Sequence, residues 1–259
     1  MTMSENNMTP HAFRVAWMLG WQDVLQAYRR SVIGPFWLTI SMALIVGTMG
    51  FVFSLIFGMD IREYLPYIAG GIVLWGFISN TIVEGCNAFI AGEAMIKQLN
   101  LPLFTHVLRV VVKNVFVLLH NVIIIPAVFV IVGYPLSFTA LMSVAGLIVV
   151  LANLVWVVYL VGFISARFRD LPTIVASLMS MVFYLTPVMW LSASIPEGDG
   201  KFVLGLNPFA HLLSLLRDPL LGQIPPLESW LVGIGLAIGG TALSLFVVNS
   251  RRARLPYWV

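Results

Sequence analysis

Polar side chains inside long apolar runs are the residues of this sequence that could do chemistry within a membrane. Each is costly in lipid, so each is expected to face protein or a water-filled cavity. Glu84, Lys113 and the nearby Arg109 lie towards the ends of their runs, which favours a structural role. His120 and Asn121 lie near mid-run, where interhelical hydrogen bonding and a polar conduit are both open interpretations. The full set is Glu84, Asn87, Lys113, Asn114, His120, Asn121 and Asn153.

Motifs for catalysis or metal binding are missing from the sequence. Gly200-Lys201 lacks the earlier glycine of a nucleotide-binding loop and is followed by Phe202 rather than Ser or Thr. No His-Glu-x-x-His or Gly-x-Ser-x-Gly pattern occurs, and Cys86 is the single cysteine. No Asp or Glu lies in the middle of an apolar run, which argues against ion-driven transport. We therefore predict no catalytic residue, no metal ligand and no cofactor in this chain, and no enzymatic activity of its own.

Aromatic residues are the other side chains with binding chemistry. The chain has 17 Phe, 8 Trp and 7 Tyr residues, more than interfacial belts alone would use. Most are expected to pack or to face lipid. The alternative is stacking on the apolar faces of sugar rings, which needs no charge on the protein.

Six apolar runs must position these side chains. The chain is 60% hydrophobic and 10% charged, a balance that no soluble core explains. Each run is long enough to cross a bilayer core, which takes about 20 residues as a helix. We predict one all-α membrane domain over residues 1–259, with spans at 36–57, 65–89, 107–132, 138–165, 172–191 and 230–248.

Lys and Arg residues fall in alternate connections between the runs. If the N-terminus is cytoplasmic, only Arg62, Lys201 and Arg217 of the 14 basic residues lie on the outer side. The positive-inside rule selects this orientation, which places both termini in the cytoplasm. The first residues do not form a cleavable signal peptide, so the first span is expected to act as an uncleaved signal. The formal net charge of +3 needs no nucleic-acid partner, because the basic residues lie at membrane boundaries.

Three segments outside the runs have patterns of their own. Residues 12–30 form an amphipathic helix whose aromatic face suits the membrane interface, a soluble packing helix being the alternative. The polar loop 91–102 is equally compatible with a short helix that docks a partner and with a structural turn. Residues 192–229 contain two apolar pieces, 202–206 and 209–221, that are too short to cross the membrane. They could enter it and return only where protein or water meets their backbone.

Five short strings, in one order, carry a family resemblance. They are YRRSVIGPFW at 28–37, IKQLNLP at 96–102, ARFRD at 166–170, LTPV at 185–188, and LNPF at 206–209 with LLR at 215–217. The chain resembles the membrane subunits of ABC-2 type exporters, and among them the polysaccharide permeases that export lipid-linked O-antigen or capsule chains.

The resemblance implies partners that the residues themselves do not reveal. Such permeases are homodimers that bind two copies of a separate ATPase, which carries ATP and Mg²⁺. The loop 91–102 would be the coupling element, and the two short outer helices in 192–229 would be re-entrant gate helices. Because no extra domain is visible, carbohydrate recognition is expected on the ATPase. The implied coupling residues are Glu93, Met95, Ile96, Lys97, Leu99 and Pro102, and the implied periplasmic gate residues are Asn207, Pro208, Phe209 and Arg217.

The resemblance also implies residues that contact the substrate. Arg29 and Arg30 are candidates for the diphosphate of the lipid carrier, since Arg pairs bidentately with phosphate oxygens, although anchoring at the membrane boundary explains them equally well. The candidates for aromatic side chains that line the channel are Phe36, Trp37, Phe183 and Tyr184.

The expected function is that of an inner-membrane permease subunit that moves undecaprenyl-diphosphate-linked polysaccharide from cytoplasm to periplasm. The alternatives are an ABC-2 exporter of small hydrophobic compounds and an exporter of a teichoic-type polymer. A more remote alternative is a membrane-embedded sugar-lipid transferase, which needs clustered acidic residues at one membrane face. The inner acids Asp23, Glu84, Glu93 and Asp170 are instead dispersed over separate segments.

Overall fold

The chain is helical throughout the part that the computed structural model describes, which comprises residues 10–27, 29, 34, 36–98, 101–191 and 199–259. No strand occurs in these residues. Short 3₁₀ turns occur at Phe138–Leu141 and Arg252–Tyr257. The helices are α1 (Pro10–Ala27), α2 (Phe36–Phe57), α3 (Ile61–Gly85), α4 (Glu93–Gln98), α5 (Leu103–Asn121), α6 (Ile124–Val132), α7 (Met142–Arg167), α8 (Leu171–Leu185), α9 (Asp199–Leu206), α10 (Pro208–Leu220) and α11 (Leu227–Arg251).

Five helical segments of the described chain are long and apolar enough to cross a bilayer. They correspond to the first, second, third, fourth and sixth predicted runs, which confirms those runs as membrane-length helices. The protein is therefore a multi-pass helical membrane protein. The segments are Phe36–Phe57, Ile61–Gly85, Leu103–Val132, Phe138–Arg167 and Leu227–Tyr257.

The fifth predicted run, 172–191, is a shorter helix than predicted. Helix α8 has 15 residues, about 22 Å at the usual rise, whereas a bilayer core is about 30 Å thick. The helix ends at Leu185 because Pro187 has no N–H to donate and disfavours a helical conformation at Thr186, which is extended. A complete sixth crossing therefore stays a proposal.

Two other helix boundaries differ from the predicted ones for local reasons. Helix α3 begins at Ile61 rather than at residue 65, because the Asp60 carboxylate accepts a hydrogen bond from the Arg62 N–H at 2.9 Å and caps the helix. The third run is interrupted between α5 and α6, where Pro126 cannot donate to the carbonyl of Val122.

Helix α3 forms the centre of the bundle. It packs against α2, α5, α6, α7, α8 and α10, and most of its side chains are buried, whereas little of α2 is buried. Glycines permit this crowding. A Cβ atom on Gly71 would lie 2.3 Å from the carbonyl oxygen of Val188, and one on Gly85 would lie 2.7 Å from a methyl group of Val158.

Helix α1 runs antiparallel to the middle of α5 and packs on it through small residues. A Cβ on Gly20 would lie 2.9 Å from the Arg109 carbonyl oxygen, and Ala16 is fully buried. The aromatic side chains flank this contact and stay about half exposed, with the Trp17 and Trp21 rings 4.9 Å from that of Phe116. The aromatic face therefore remains available to the membrane interface, and placement there stays a prediction. Tyr28 and Arg30 lie outside the described residues.

Candidate transport groove and coupling region

A groove of about 330 Å³ lies between α3 and α8. Its wall combines aromatic rings with hydroxyl and amide groups. Phe183 and Tyr184 have ring centroids 5.3 Å apart, and Trp75 lies 6.0 Å from Phe183 and 5.8 Å from Phe209. Two of the four predicted channel aromatics therefore share one site with Trp75, which was not among the predicted site residues. The lining residues are Trp75, Gly76, Ser79, Asn80, Met179, Ser180, Phe183 and Tyr184.

One exposed face of α8 continues the polar side of the groove. Thr173, Ser177, Ser180 and Tyr184 recur at helical spacing, and all four are exposed. The Ser177 and Ser180 hydroxyls each donate to a carbonyl one turn earlier, at 3.0 Å, which leaves their oxygen lone pairs free to accept. Such a face suits water or a hydroxylated ligand better than lipid.

The irregular segment after α8, residues 186–190, is held by side chains from α3 and α10. The Tyr67 hydroxyl lies 3.0 Å from the Pro187 carbonyl oxygen and 2.8 Å from that of Trp190, and the Tyr64 hydroxyl donates to Met189 at 2.6 Å. These contacts satisfy carbonyls that a continued helix would have paired internally.

Two of the predicted gate residues also hold segment 186–190, and together with Tyr64 and Tyr67 they form what we call the clamp. The Asn207 side chain caps α10 by accepting from the Phe209 N–H, and its amide donates to Thr186 at 3.0 Å. Arg217 is only 4% exposed, lies 4.1 Å above the Tyr67 ring and donates to the Pro187 carbonyl. Pro208 is the first residue of α10. A gating role for these residues stays a proposal.

The predicted coupling loop folds as the short helix α4. Glu93 and Lys97 form an exposed ion pair of 2.7 Å, and the hydrogen bond from Lys97 lowers the pKa of the Glu93 carboxyl. Met95 and Ile96 are half-buried, Pro102 precedes α5, and Leu99 lies outside the described residues. A Cβ on Gly92 would lie 2.5 Å from the buried His106 ring, so the turn into α4 is tightly packed.

Comparison with known proteins agrees with this architecture. The sequence matches the family described as ABC-2 type transporter over residues 14–221. The chain belongs to the ABC-2 type transporter family. Members of this family are transport permeases that work with an ATPase partner.

Two individual relatives are similar to this chain along most of its length. The ABC-2 permease is 25% identical over 231 residues to an "O-antigen export system permease protein RfbA" of Klebsiella pneumoniae, which covers 87% of this chain and 88% of that protein. It is 26% identical over 241 residues to a protein of the same name from Myxococcus xanthus, with 89% and 90% covered.

The remaining channel candidates of the permease lie on another helix. Phe36 and Trp37 begin α2, where both are exposed and the Phe36 ring lies 6.4 Å from that of His120. They do not line the groove between α3 and α8. Arg29 is exposed in the short turn after α1, and Arg30 lies outside the described residues.

Charged residues near the predicted inner ends of the spans form ion pairs between helices. Lys113 contacts Glu84 at 2.9 Å, and the Asn114 amide donates to the other Glu84 oxygen at 2.8 Å. The guanidinium of Arg109 donates to both carboxylate oxygens of Asp23 at 2.6 Å, which fastens α1 to α5. These geometries match the structural role predicted for Glu84, Lys113 and Arg109.

The other polar residues of the permease's spans bond mainly to backbone. Asn153 donates to the carbonyls of Val149 and Gly233 at 2.9 Å and so joins α7 to α11. The His120 ring contacts the Phe116 carbonyl in its own helix at 2.7 Å, and Asn121 is buried. Asn87 is exposed in the turn that follows α3.

Sequence reasoning missed Trp75, Tyr67, Tyr64 and Asp23 as site residues. Trp75 could not be singled out, because an aromatic residue in an apolar run gives no sign of which side it faces. The two tyrosines could have been noticed as a pair with three-residue spacing on one helix face. Asp23 carries no signal for its partner, since Arg109 is distant in the sequence.

Proposed function

We propose that this chain is the membrane permease of an ATP-driven exporter that moves polysaccharide linked to undecaprenyl diphosphate from the cytoplasm to the periplasm. O-antigen and capsule are the cargo classes, and the bacterial inner membrane is the location. The similarity to O-antigen export permeases along most of the chain supports this cargo.

The observation that carries the proposal is the groove beside the exposed hydroxyl face of α8. Trp75, Phe183 and Tyr184 contribute aromatic rings to the wall, and Tyr184 is the exposed one, while Asn80 and Ser180 contribute hydrogen-bonding groups to the same wall. Sugars need this combination, because their rings have apolar faces and polar edges. A purely hydrophobic cargo would need neither the amide nor the hydroxyl groups.

The quaternary arrangement belongs to the same proposal. Two copies of the chain face each other so that the open sides of their grooves form one conduit. Two copies of a separate ATPase bind ATP and Mg²⁺ and displace α4, and this displacement reaches the spans. The clamp on residues 186–190, with α9 and α10, gates the outer end. Arg29 and Arg30 precede the first span in the sequence and are the candidates for binding the lipid diphosphate.

The experiment is complementation of a deletion strain with groove variants, followed by quantification of surface glycan and of lipid-linked glycan trapped inside. Aromatic contacts contribute about 0.5–1.5 kcal/mol each, so Phe183→Ala or Tyr184→Ala should lower export about two- to tenfold. Phe138→Ala is the control, because that ring is equally large, almost fully exposed and not part of the groove.

The deletion strain also separates the alternatives. Accumulation of finished glycan inside the cell supports export, and its chemistry distinguishes O-antigen or capsule from a teichoic-type polymer. Normal surface glycan with reduced efflux of hydrophobic compounds would instead support the small-molecule exporter. Loss of glycan synthesis itself would support a transferase.

A further inference from the structure

A second apolar core lies at the end of the bundle that carries α4, separate from the core around α3. Phe89 precedes α4, Val107 belongs to α5 and Phe163 to α7, and all three side chains are buried in it. The segment 252–259 fills the remaining side, with Leu255 fully buried and Val259 nearly so. Ile96 of α4 packs against this core from outside.

Helix α4 has little other support among the described elements. None of its side chains is buried, and the element that it contacts most is the 3₁₀ turn Arg252–Tyr257. Its apolar anchor, Ile96, therefore meets a surface that segment 252–259 helps to build. Segment 252–259 is therefore the main neighbour of α4 among the described helices and turns.

Trp258 fastens the segment to the end of α7. Its ring lies 5.3 Å from that of Phe163, and the Arg167 guanidinium lies 5.3 Å from the Trp258 ring centroid. The Arg169 guanidinium donates to the Trp258 carbonyl at 3.0 Å. The charge of Arg169 also helps to lower the pKa of Glu93, so this guanidinium lies within electrostatic reach of α4.

We propose that segment 252–259 is the seat of α4, with Leu255 and Trp258 as positioning residues. The seat holds α4 at a set distance from α7 and α11, so that a displacement of α4 moves these two helices instead of being absorbed in the flanking loops. The inference rests on the proposed coupling role of α4. The partner is the ATPase. Without the seat, a displacement of α4 by the ATPase would not reach α7 and α11.

The experiment measures the mobility of α4 and the efficiency of export separately. A nitroxide at Ala94→Cys, in a Cys86→Ser background, reports the motion of α4 in the full-length permease in nanodiscs. Trp258→Ala should raise the mobility of the label about twofold, because local order depends on these few buried contacts. Trp258→Phe should restore it. The control is Tyr257→Ala, since this neighbouring ring is 88% exposed.

Export per ATP hydrolysed in the complex is the second readout. Trp258→Ala should lower it about tenfold, within the range of typical coupling free energies, while the ATPase remains bound and active. Unchanged label mobility, or changed mobility with unchanged export per ATP, overturns the proposal. If Trp258→Ala does not fold, Arg169→Gln replaces it, because this substitution of an exposed side chain leaves the buried core intact while it removes the hydrogen bond to the Trp258 carbonyl and the charge that acts on Glu93. Increased mobility in a permease that exports no glycan even as wild type supports the seat and refutes the proposed function.

Discussion

Arg217 is a charged residue whose side chain is buried by its neighbours, although its position in the sequence favours exposure. Its position in a predicted outer connection favours an exposed charge, yet the side chain is buried. The Tyr67 ring face and the Pro187 carbonyl replace the water that its guanidinium would otherwise contact. The Asp218 carboxylate, 3.6 Å away, supplies an opposite charge, and the contact with Pro187 holds the segment after α8.

We expect Tyr67→Phe to destabilise the permease while leaving Arg217 stacked on the ring. The substitution removes a hydroxyl that contacts two carbonyls, and a hydrogen bond of this kind contributes about 0.5–1.5 kcal/mol. The measurement is the free energy of unfolding in detergent, with Tyr257→Phe as the exposed control. Equal stability of the two variants would contradict the clamp.

Polar residues in the spans were predictable as a class but not as pairs. An acid or a base in an apolar run must find a partner, so a structural role for Glu84 and Lys113 follows from the cost of burial alone. Their mutual contact at 2.9 Å, and the Asp23–Arg109 pair, depend on which helices become neighbours.

Close approach of elements depends on glycine at specific positions of the helices. Gly71 faces the backbone of Val188, while at Gly239 of α11 no atom beyond the adjoining backbone of its own helix lies within 4 Å of the place where a Cβ would lie. Both glycines lie within apolar helices and look alike in the sequence. Only the packing of α3 against the segment after α8 makes the first one essential.

Alanine substitution should separate these two glycines. We expect Gly71→Ala to destabilise by about 1–3 kcal/mol, because a carbonyl cannot move aside as a flexible side chain does. Gly239→Ala should be neutral or stabilise by up to about 1 kcal/mol, since alanine is the better helix former. Unfolding in detergent measures both, and an equal loss in the two variants would show that the close approach is not limiting.

Element boundaries followed local chemistry where it was visible in the sequence. Pro187 explains the early end of α8 and Pro126 the break before α6, and both could have been read as interruptions of their runs. The burial of Ala16 and Gly20 against α5, beside the aromatic side chains, was less accessible. Hydrophobic periodicity identifies the large residues, whereas close packing of two helices favours the small ones.

At the scale of the whole molecule, the groove between α3 and α8 is open on the side where α8 presents its hydroxyl face. Tyr184 is 71% exposed there. A polar face of this kind in a membrane protein calls for water or protein beside it rather than lipid. The proposed second copy would supply that neighbour and close the conduit.

Cross-linking should detect the facing copies. In a Cys86→Ser background, Ser180→Cys should give a covalent dimer with a short bis-maleimide reagent in membranes, because the two grooves would face each other across the conduit. Ile131→Cys is the control, since it is highly exposed on α6 away from the groove. Equal cross-linking of the two variants, or none in either, would count against this dimer.

The amino-acid order alone determined that the chain crosses the membrane repeatedly as helices, because apolar length and backbone hydrogen bonding leave no other solution in lipid. It also determined the breaks, since proline acts on its own neighbours. Only the tertiary structure decided that Trp75, Phe183 and Tyr184 share a groove, that Phe36 and Trp37 lie elsewhere, and that segment 252–259 contacts α4. These contacts join residues that are distant in the chain. They depend on which helices become neighbours, and the spacing of apolar residues along a single helix does not encode that choice.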